Sequence, residues 1–150
     1  MSTLTASSPS STAVPSGALA AVAVIGRVLL AAMFILAGFS KFGSLEGTAG
    51  YIASGGLPLP MVLAVLVGAL ELVGGLMLAV GFHARYAALA LGAFTILASL
   101  LFHNFWAMPA DKAFVQQLMF MKNLAVAGGM FVVAALGAGP ASLDTRRAAA

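Results

Sequence analysis

The sequence predicts an all-α membrane protein, a four-transmembrane-helix antiparallel bundle with both termini inside (N-in/C-in). The prediction rests on composition, on the length of the apolar runs and on the distribution of loop cations. Of the 150 residues, 62% are hydrophobic and 7% are charged, whereas soluble domains carry about 25% charged residues. So few charged side chains cannot cover the surface of a soluble protein of this size. The chain is therefore expected to lie in a lipid bilayer.

Four apolar segments are each long enough to cross a bilayer. Each has about 20 residues, which at 1.5 Å per residue matches a hydrocarbon core of about 30 Å. The second segment is introduced by Pro-Leu-Pro, which favours a helix start, and the fourth ends in Gly-Ala-Gly-Pro, which favours a helix stop. The predicted spans are residues 19–39, 59–80, 86–102 and 114–136.

The segments outside the spans differ in composition. Residues 1–17 are rich in Ser, Thr and Pro and carry no charged side chain, which predicts a disordered N-terminal tail. Residues 18–138 are the predicted four-helix transmembrane domain, and residues 139–150 the predicted cytoplasmic C-terminal tail. The short loop GFHAR (81–85) forces the second and third spans to be antiparallel neighbours. The first loop (41–60) is long and Gly-rich, which is typical of a functional loop or of a re-entrant or interfacial piece.

The loop cations predict the orientation. An even number of spans puts both termini on one side of the membrane. That side holds Arg85, Arg146 and Arg147, and the opposite side holds Lys41 and Lys112. The positive-inside rule counts these cations and favours a cytoplasmic location for both termini.

Several function classes are excluded by what the sequence lacks. The chain has no cysteine, so disulfides, thiolate catalysis and thiol redox chemistry are excluded within it. Lys and Arg nowhere form a stripe, which argues against nucleic-acid binding. Motifs of zinc proteases, serine hydrolases, phosphate-binding loops and dinucleotide folds are absent. The two histidines lie on predicted opposite sides, so no metal site is predicted.

Five polar residues within or at the ends of the spans form the candidate site. A charge at the bilayer centre costs about 2.5 to 3.5 kcal/mol on insertion scales, so such residues are expected to face the bundle interior and seek partners. Small residues on the same helix faces would let the backbones approach closely. The candidate residues, as a ligand-binding or buried polar cluster, are Arg27, Glu71, His103, Lys122 and Asn123.

The charges at mid-membrane depth do not balance. Two cations, Arg27 and Lys122, face one acid, Glu71. If Glu71 pairs with Arg27, Lys122 is the surplus cation; if it pairs with Lys122, Arg27 must face the inner side. The pair could instead be purely structural, and Lys122 could extend outward along its apolar stem.

The surplus cation leads to a pocket hypothesis. Lys122, Asn123 and His103 would form a polar pocket that opens outward, with Phe105 and Trp106 at its mouth. A quinone carbonyl or a small anion would suit these donors. An ordinary interfacial role for His103 is the alternative. No catalytic residue is assigned.

Five stretches follow one another along the chain: RVLLAAMFILAGFSKF (27–42), GYIASGGLP (50–58), ALELVGGLMLAVGFHAR (69–85), LFHNFW (101–106) and FMKNLAVAGG (120–129). Together they resemble the DoxX family of small bacterial four-helix membrane proteins. The resemblance covers about residues 20–138 and implies a multi-pass protein of the bacterial cytoplasmic (inner) membrane. Family members are linked to a thiosulfate:quinone oxidoreductase and to membrane-associated redox complexes.

The resemblance and the polar cluster together give three functional expectations. The first is a non-thiol subunit of a quinone-linked membrane redox system, at most part of an oxidoreductase, which binds a small ligand in the bundle. The second is a non-catalytic scaffold or assembly protein, and the third is a small-molecule carrier. The expected cofactor is a quinone, and the expected partners are the lipid bilayer and a redox protein or a second copy of the chain.

Overall fold

A computed structural model describes residues 16–149, which form six α-helices and no strand. Four helices of 19 residues or more are long and apolar enough to cross a membrane. The predicted all-α, four-span architecture is therefore confirmed, while the N-in/C-in orientation stays a prediction. The helices are α1 (Ser16–Gly43), α2 (Leu45–Ser54), α3 (Pro60–Val80), α4 (Ala84–Phe102), α5 (Ala110–Leu136) and α6 (Leu143–Ala148), with a short 3-10 turn at Phe105–Ala107.

Helix α1 is longer than its predicted span at both ends. It includes Ser16 and Gly17, which the sequence assigned to the N-terminal tail, and it continues to Gly43. The rest of the predicted disordered tail lies outside the described residues. The 28 residues of α1 are about 42 Å long, against about 32 Å for the 21 residues of α3. Helix α1 therefore overhangs α3.

The bundle consists of two closely packed helix pairs, α1 with α3 and α4 with α5. Glycines set the spacing of the first pair. A Cβ on Gly38 would lie 2.7 Å from the backbone nitrogen of Leu72, and one on Gly75 would lie 3.0 Å from that of Ile35. Only glycine permits so close a backbone approach, as is common between membrane helices. These contacts fix the antiparallel register of α1 against α3.

The main apolar core occupies one half of the bundle. We call the end where α1 begins and α5 ends the terminal end, and the end that holds α2 and the 3-10 turn the distal end. The core joins α1, α3, α4, α5 and the start of the C-terminal segment, and it lies in the terminal half. Its buried members are Ala31, Phe34, Leu78, Ala84, Ala88, Leu91, Met130 and Ala138.

The C-terminal segment (137–148) folds back on the terminal end. The side chain of Arg27 is buried and donates hydrogen bonds to the carbonyl oxygens of Ala138 and Ala141. Asp144 accepts hydrogen bonds from the backbone N–H groups of His83 and Ala84, at 2.7 and 2.9 Å. A carboxylate at this position satisfies free N–H groups at the start of α4. The predicted C-terminal tail thus contributes contacts and a helix, α6, to the folded domain.

The long first loop folds into helix α2 at the distal end. Ala49 and Ile52 of α2 are buried against Ala64, near the start of α3. Gly55 follows α2, and a Cβ there would lie 2.7 Å from the ring of Phe102. Helix α2 is thereby held across the distal end of the bundle, beside the end of α4.

Candidate functional site

A cavity of about 320 Å³ lies in the distal half of the bundle. All four long helices and α2 contribute to its wall, which is mainly apolar. Ligand pockets in proteins typically have volumes of about 300 to 1,000 Å³ and place a few polar groups in an apolar wall. The polar side chains along this wall are Lys41, Thr48, Tyr51, Glu71, Thr95, His103, Lys122 and Asn123.

Four of the five candidate residues come together at this cavity, and one does not. Glu71, His103, Lys122 and Asn123 all line it. Arg27 lies on α1 fourteen positions before Lys41, or about 21 Å along the helix. The arginine therefore belongs to the terminal end, where its partners are backbone carbonyls.

Glu71 pairs with a residue that the sequence assigned to the loop. Its Oε2 lies 2.6 Å from Nζ of Lys41, and the two side chains are 7% and 26% exposed. The expected Arg27–Glu71 pair and the alternative Glu71–Lys122 pair are both wrong. The Lys41–Glu71 pair is the one side-chain ion pair within residues 16–149.

The register of α1 against α3 explains the incorrect pairing. Counted from the ends of their predicted spans, Arg27 and Glu71 both lie at mid-membrane depth. Because Ile35 faces Gly75 in the antiparallel pair, position 27 lies level with the end of α3, close to position 81. Position 41 lies beside Glu71 because α1 continues to Gly43. The glycine contacts thus decide which cation meets the acid.

Lys122 remains without an acidic partner in the described part of the chain. Its side chain is exposed, and its polar contact is with Sδ of Met119 at 3.6 Å. A thioether sulfur is a weak acceptor, so this contact leaves the ammonium available. Asn123, the next residue, is half-buried at the same cavity. The two residues place an ammonium and an amide at the cavity's edge on α5.

His103 is held by a neighbour on α5. Its Nδ1 lies 2.8 Å from Oε1 of Gln116. With the Gln116 oxygen as acceptor, neutral His103 carries its proton on Nδ1, which leaves Nε2 as an acceptor. The ring lines the cavity, so the site contains both a cationic donor and an imidazole.

The two aromatic residues expected at the pocket mouth lie elsewhere. Phe105 and Trp106 pack edge-to-face against each other and against Phe120, with ring centroids 5.2 to 5.6 Å apart. Neither lines the cavity. The aromatic rings at its distal edge are Tyr51 and Phe102, which stack with their centroids 4.8 Å apart.

The sequence did not indicate Lys41, Thr48 or Tyr51 as site residues. All three lie in or next to the first loop (41–60), whose length and glycine content were the available signal. No helical period inside so short a segment shows which side chains of α2 face the bundle. Thr95 was also missed, and its hydroxyl donates to the carbonyl of Leu91 at 2.7 Å, as buried threonines in helices often do.

The fold and cavity together define a class, that of small polytopic membrane proteins whose four spans enclose a partly polar cavity. The model of the DoxX family matches residues 11–104, and the chain belongs to this family. The matched region includes α1 to α4 and stops before α5. Two candidate residues, Lys122 and Asn123, thus lie outside it.

Two relatives from Escherichia coli (strain K12) place the chain in a compartment. The inner membrane protein YphA is 32% identical over 123 residues, which cover 82% of this chain and 88% of the relative. The inner membrane protein YqjF is 38% identical over 121 residues, with 81% and 88% covered. With four apolar spans, the chain is a multi-pass inner-membrane protein in the lipid bilayer. No solved structure matches the chain significantly.

A third relative is more distant. The yeast ER-derived vesicles protein ERV29 is 25% identical over 122 residues, which cover 81% of this chain and 32% of that protein. The similarity therefore concerns about one third of the yeast protein.

Proposed function

We propose that this DoxX protein is a quinone-binding subunit of a membrane redox system, with the quinone head group held in the distal cavity. The observation that carries the proposal is Lys122, a cation without an acidic partner in the described chain, at the edge of an apolar cavity. A quinone presents an apolar ring with two carbonyl oxygens. Each carbonyl can accept a hydrogen bond from an ammonium or an amide.

The cavity has the size and polarity that a head group requires. Its volume of about 320 Å³ lies at the lower end of ordinary ligand pockets. Phe34, Phe94 and Ile52 provide apolar wall, while Lys122 and Asn123 provide donors. Since Glu71 is neutralised by Lys41 at 2.6 Å, the remaining formal charge at the cavity is positive and favours electron-rich carbonyl oxygens.

The helix packing gives the apolar tail of a quinone a way out. Of the four neighbouring pairs of long helices, α1 and α5 have the sparsest contact. Where they approach, Leu30 lies near Gly129, toward the terminal end. Lys122 lies on α5 nearer the distal end and is exposed. A ring in the cavity would therefore extend its tail into the lipid between α1 and α5.

Electrons would come from another protein, because the chain contains no cysteine and, within residues 16–149, no group of metal-binding side chains. The role of this chain is to bind and orient the quinone. Cross-linking in native membranes should therefore capture a protein that carries a flavin, a haem or an iron–sulfur cluster. Capture of non-redox proteins alone would leave quinone binding intact and would favour the scaffold function.

Binding is tested by titrating the protein in lipid nanodiscs with the short-chain quinone ubiquinone-1. Trp106 is the one tryptophan in the chain, and its fluorescence should be quenched in a saturable manner. Lys122→Met should raise Kd about tenfold or more, because a hydrogen bond from a charged donor contributes about 1.5 to 3 kcal/mol.

Lys112→Met is the matched control. Lys112 is an exposed lysine on the same helix and does not line the cavity, so its replacement should leave Kd unchanged. Quenching that rises linearly without saturation, or equal Kd values for Lys122→Met and the unaltered protein, would refute the proposed quinone site.

A further inference from the structure

A second cavity lies next to the first, at the distal end. It has a volume of about 420 Å³ and is lined by residues of α2, the end of α4, the 103–109 loop and α5. We call it the vestibule. It shares two wall residues, Tyr51 and Phe102, with the bundle cavity.

The vestibule is polar and carries no charged side chain. Its polar groups are the Tyr51 and Ser54 hydroxyls and the Asn104 and Gln116 amides. The Ser54 hydroxyl donates to the Tyr51 carbonyl at 2.7 Å, so its oxygen can still accept. The oxygen of Gln116 lies against His103, so its NH₂ group can still donate. Such a set suits a molecule that both donates and accepts hydrogen bonds and has no net charge.

The two wall residues that the cavities share are a pair of stacked rings. The Tyr51 and Phe102 centroids are 4.8 Å apart and their planes are 26° apart. Tyr51 is half exposed, and its ring stacks on Phe102. The backbone at Gly55 supports Phe102 from the α2 side, where a Cβ would lie 2.7 Å from the ring.

A hydrogen bond crosses the same wall. His103 lines the bundle cavity and Gln116 lines the vestibule, and they bond to each other at 2.8 Å. The boundary therefore has an aromatic part and a polar part. Both are held by side-chain contacts between separate elements, so rotation of Tyr51 would connect the two spaces without unfolding any helix.

We infer that the vestibule is a binding site for a small, uncharged, water-soluble molecule of the amide or polyol class, and that the Tyr51–Phe102 stack is the gate through which it reaches the bundle cavity. Neither part requires that the bundle cavity hold a quinone. The vestibule gives the cavity a route to the aqueous phase, separate from the lipid route between α1 and α5.

The absence of cysteine from the chain permits a direct test by single-cysteine labelling. Iodoacetamide is the small, uncharged, water-soluble probe, and iodoacetate is its anionic counterpart of similar size. Ser54→Cys reports the vestibule, and Ala98→Cys reports the bundle cavity, which Ala98 lines. Leu97→Cys reports the lipid-facing side of α4, where the Leu97 side chain is 57% exposed.

With the gate intact, Ser54→Cys should react readily and should prefer iodoacetamide to iodoacetate more strongly than free cysteine does. Ala98→Cys should react slowly. Adding Tyr51→Ala should speed the reaction of Ala98→Cys with iodoacetamide about tenfold or more, because an open minor state is typically 0.1 to 10% populated. The rate for Leu97→Cys should not change.

A second gate variant covers the case in which Tyr51→Ala fails to fold. Tyr51→Phe keeps the ring, so Ala98→Cys should still react slowly with iodoacetamide. Gly55→Ala should displace Phe102, so Ala98→Cys should react faster. Equal Ala98→Cys rates with and without an intact stack would overturn the gate. An equal preference of Ser54→Cys and free cysteine for the two reagents would overturn the uncharged-ligand site.

Discussion

The two halves of the bundle satisfy their polar groups in different ways. In the terminal half, charged side chains bond to the backbone: Arg27 donates to two carbonyl groups, and Asp144 accepts from two N–H groups. In the distal half, Lys41 and Glu71 bond to each other beside open space, and Lys122 has no acidic partner in the described chain. In the terminal half, the polar side chains hold the C-terminal segment against the bundle. In the distal half, the polar side chains line a cavity.

The difference indicates that one half of this small membrane protein provides stability and the other half provides the ligand site. Buried polar groups in a bilayer need partners within the protein, because lipid offers none. A half whose charged side chains bond to the backbone can pack tightly around an apolar core, as the terminal half does. A half that leaves donors free keeps them available for a ligand and is expected to be less stable. Substitutions in the two halves should therefore differ in effect.

The largest effect is expected where α1 and α3 touch. Gly75→Leu places a side chain where even a Cβ would lie 2.9 Å from Ile35 and 3.0 Å from its backbone nitrogen. Overpacking against backbone should cost about 3 kcal/mol or more, measured as thermal unfolding in detergent. Gly128→Leu is the control, because nothing lies within 4 Å of a Cβ there. Equal losses of stability in Gly75→Leu and Gly128→Leu would show that the glycine contacts do not set the packing of α1 against α3.

A smaller loss of stability is expected when the hydrogen bonds between Arg27 and the C-terminal segment are removed. Arg27→Met leaves the buried carbonyl group of Ala138 and the partly buried one of Ala141 without their donor. Because one buried group is then unsatisfied, the expected loss in the free energy of unfolding is about 1 to 3 kcal/mol. The exposed Arg85, which donates to Ala135 at 2.9 Å, is the control, and Arg85→Met should change stability by about 0.5 kcal/mol at most.

The same Arg27 variant tests whether the halves are independent. Its affinity for ubiquinone-1 should equal that of the unaltered protein, since Arg27 lies about 21 Å along α1 from Lys41. A changed Kd in a folded Arg27→Met protein would contradict the separation of the halves.

The smallest of these effects is expected at the ion pair of the distal cavity. Lys41→Met leaves the carboxylate of Glu71, 7% exposed, without its cation. Loss of one partner of a fully buried pair costs about 3 to 5 kcal/mol. Because the Glu71 carboxyl lines a cavity and can bind a proton instead of staying charged, we expect a smaller loss of about 1 kcal/mol. The double variant Lys41→Met/Glu71→Leu should recover this loss, because it leaves no unpaired charge. Thermal unfolding that ranks the double variant below the single one would show that the pair itself stabilises the bundle.

The hydropathy pattern predicted the architecture well, because bilayer thickness and backbone hydrogen bonding leave few alternatives for an apolar chain. It was less informative about element ends. Helix α1 extends past both ends of its predicted span, and the loop 41–60 contains a helix. Hydropathy marks where a segment is apolar, whereas α1 continues beyond that point to include Lys41, whose side chain pairs with Glu71.

The sequence allowed individual residues of the candidate site to be predicted, but not which of them contact each other. The cost of intramembrane charge singled out Glu71 and Lys122, which line one cavity. The same cost also singled out Arg27, which lies far from them. The depth of a residue was counted from the end of its own span, so it is wrong by the length by which one helix extends past its neighbour. Helix α1 extends past α3 by several residues.

The sequence by itself determined that four apolar helices cross the membrane, that no thiol chemistry takes place within the chain, and that a few charged residues lie at membrane depth. Those facts follow from composition and length. Only the tertiary structure decided that Lys41 forms an ion pair with Glu71 and that backbone carbonyl groups accept hydrogen bonds from Arg27. It also decided that Lys122 lies at a cavity without an acidic partner in the described chain. The physical reason is that pairing depends on register, which the close contacts at Gly38 and Gly75 set across two helices, and no pattern within one helix records them.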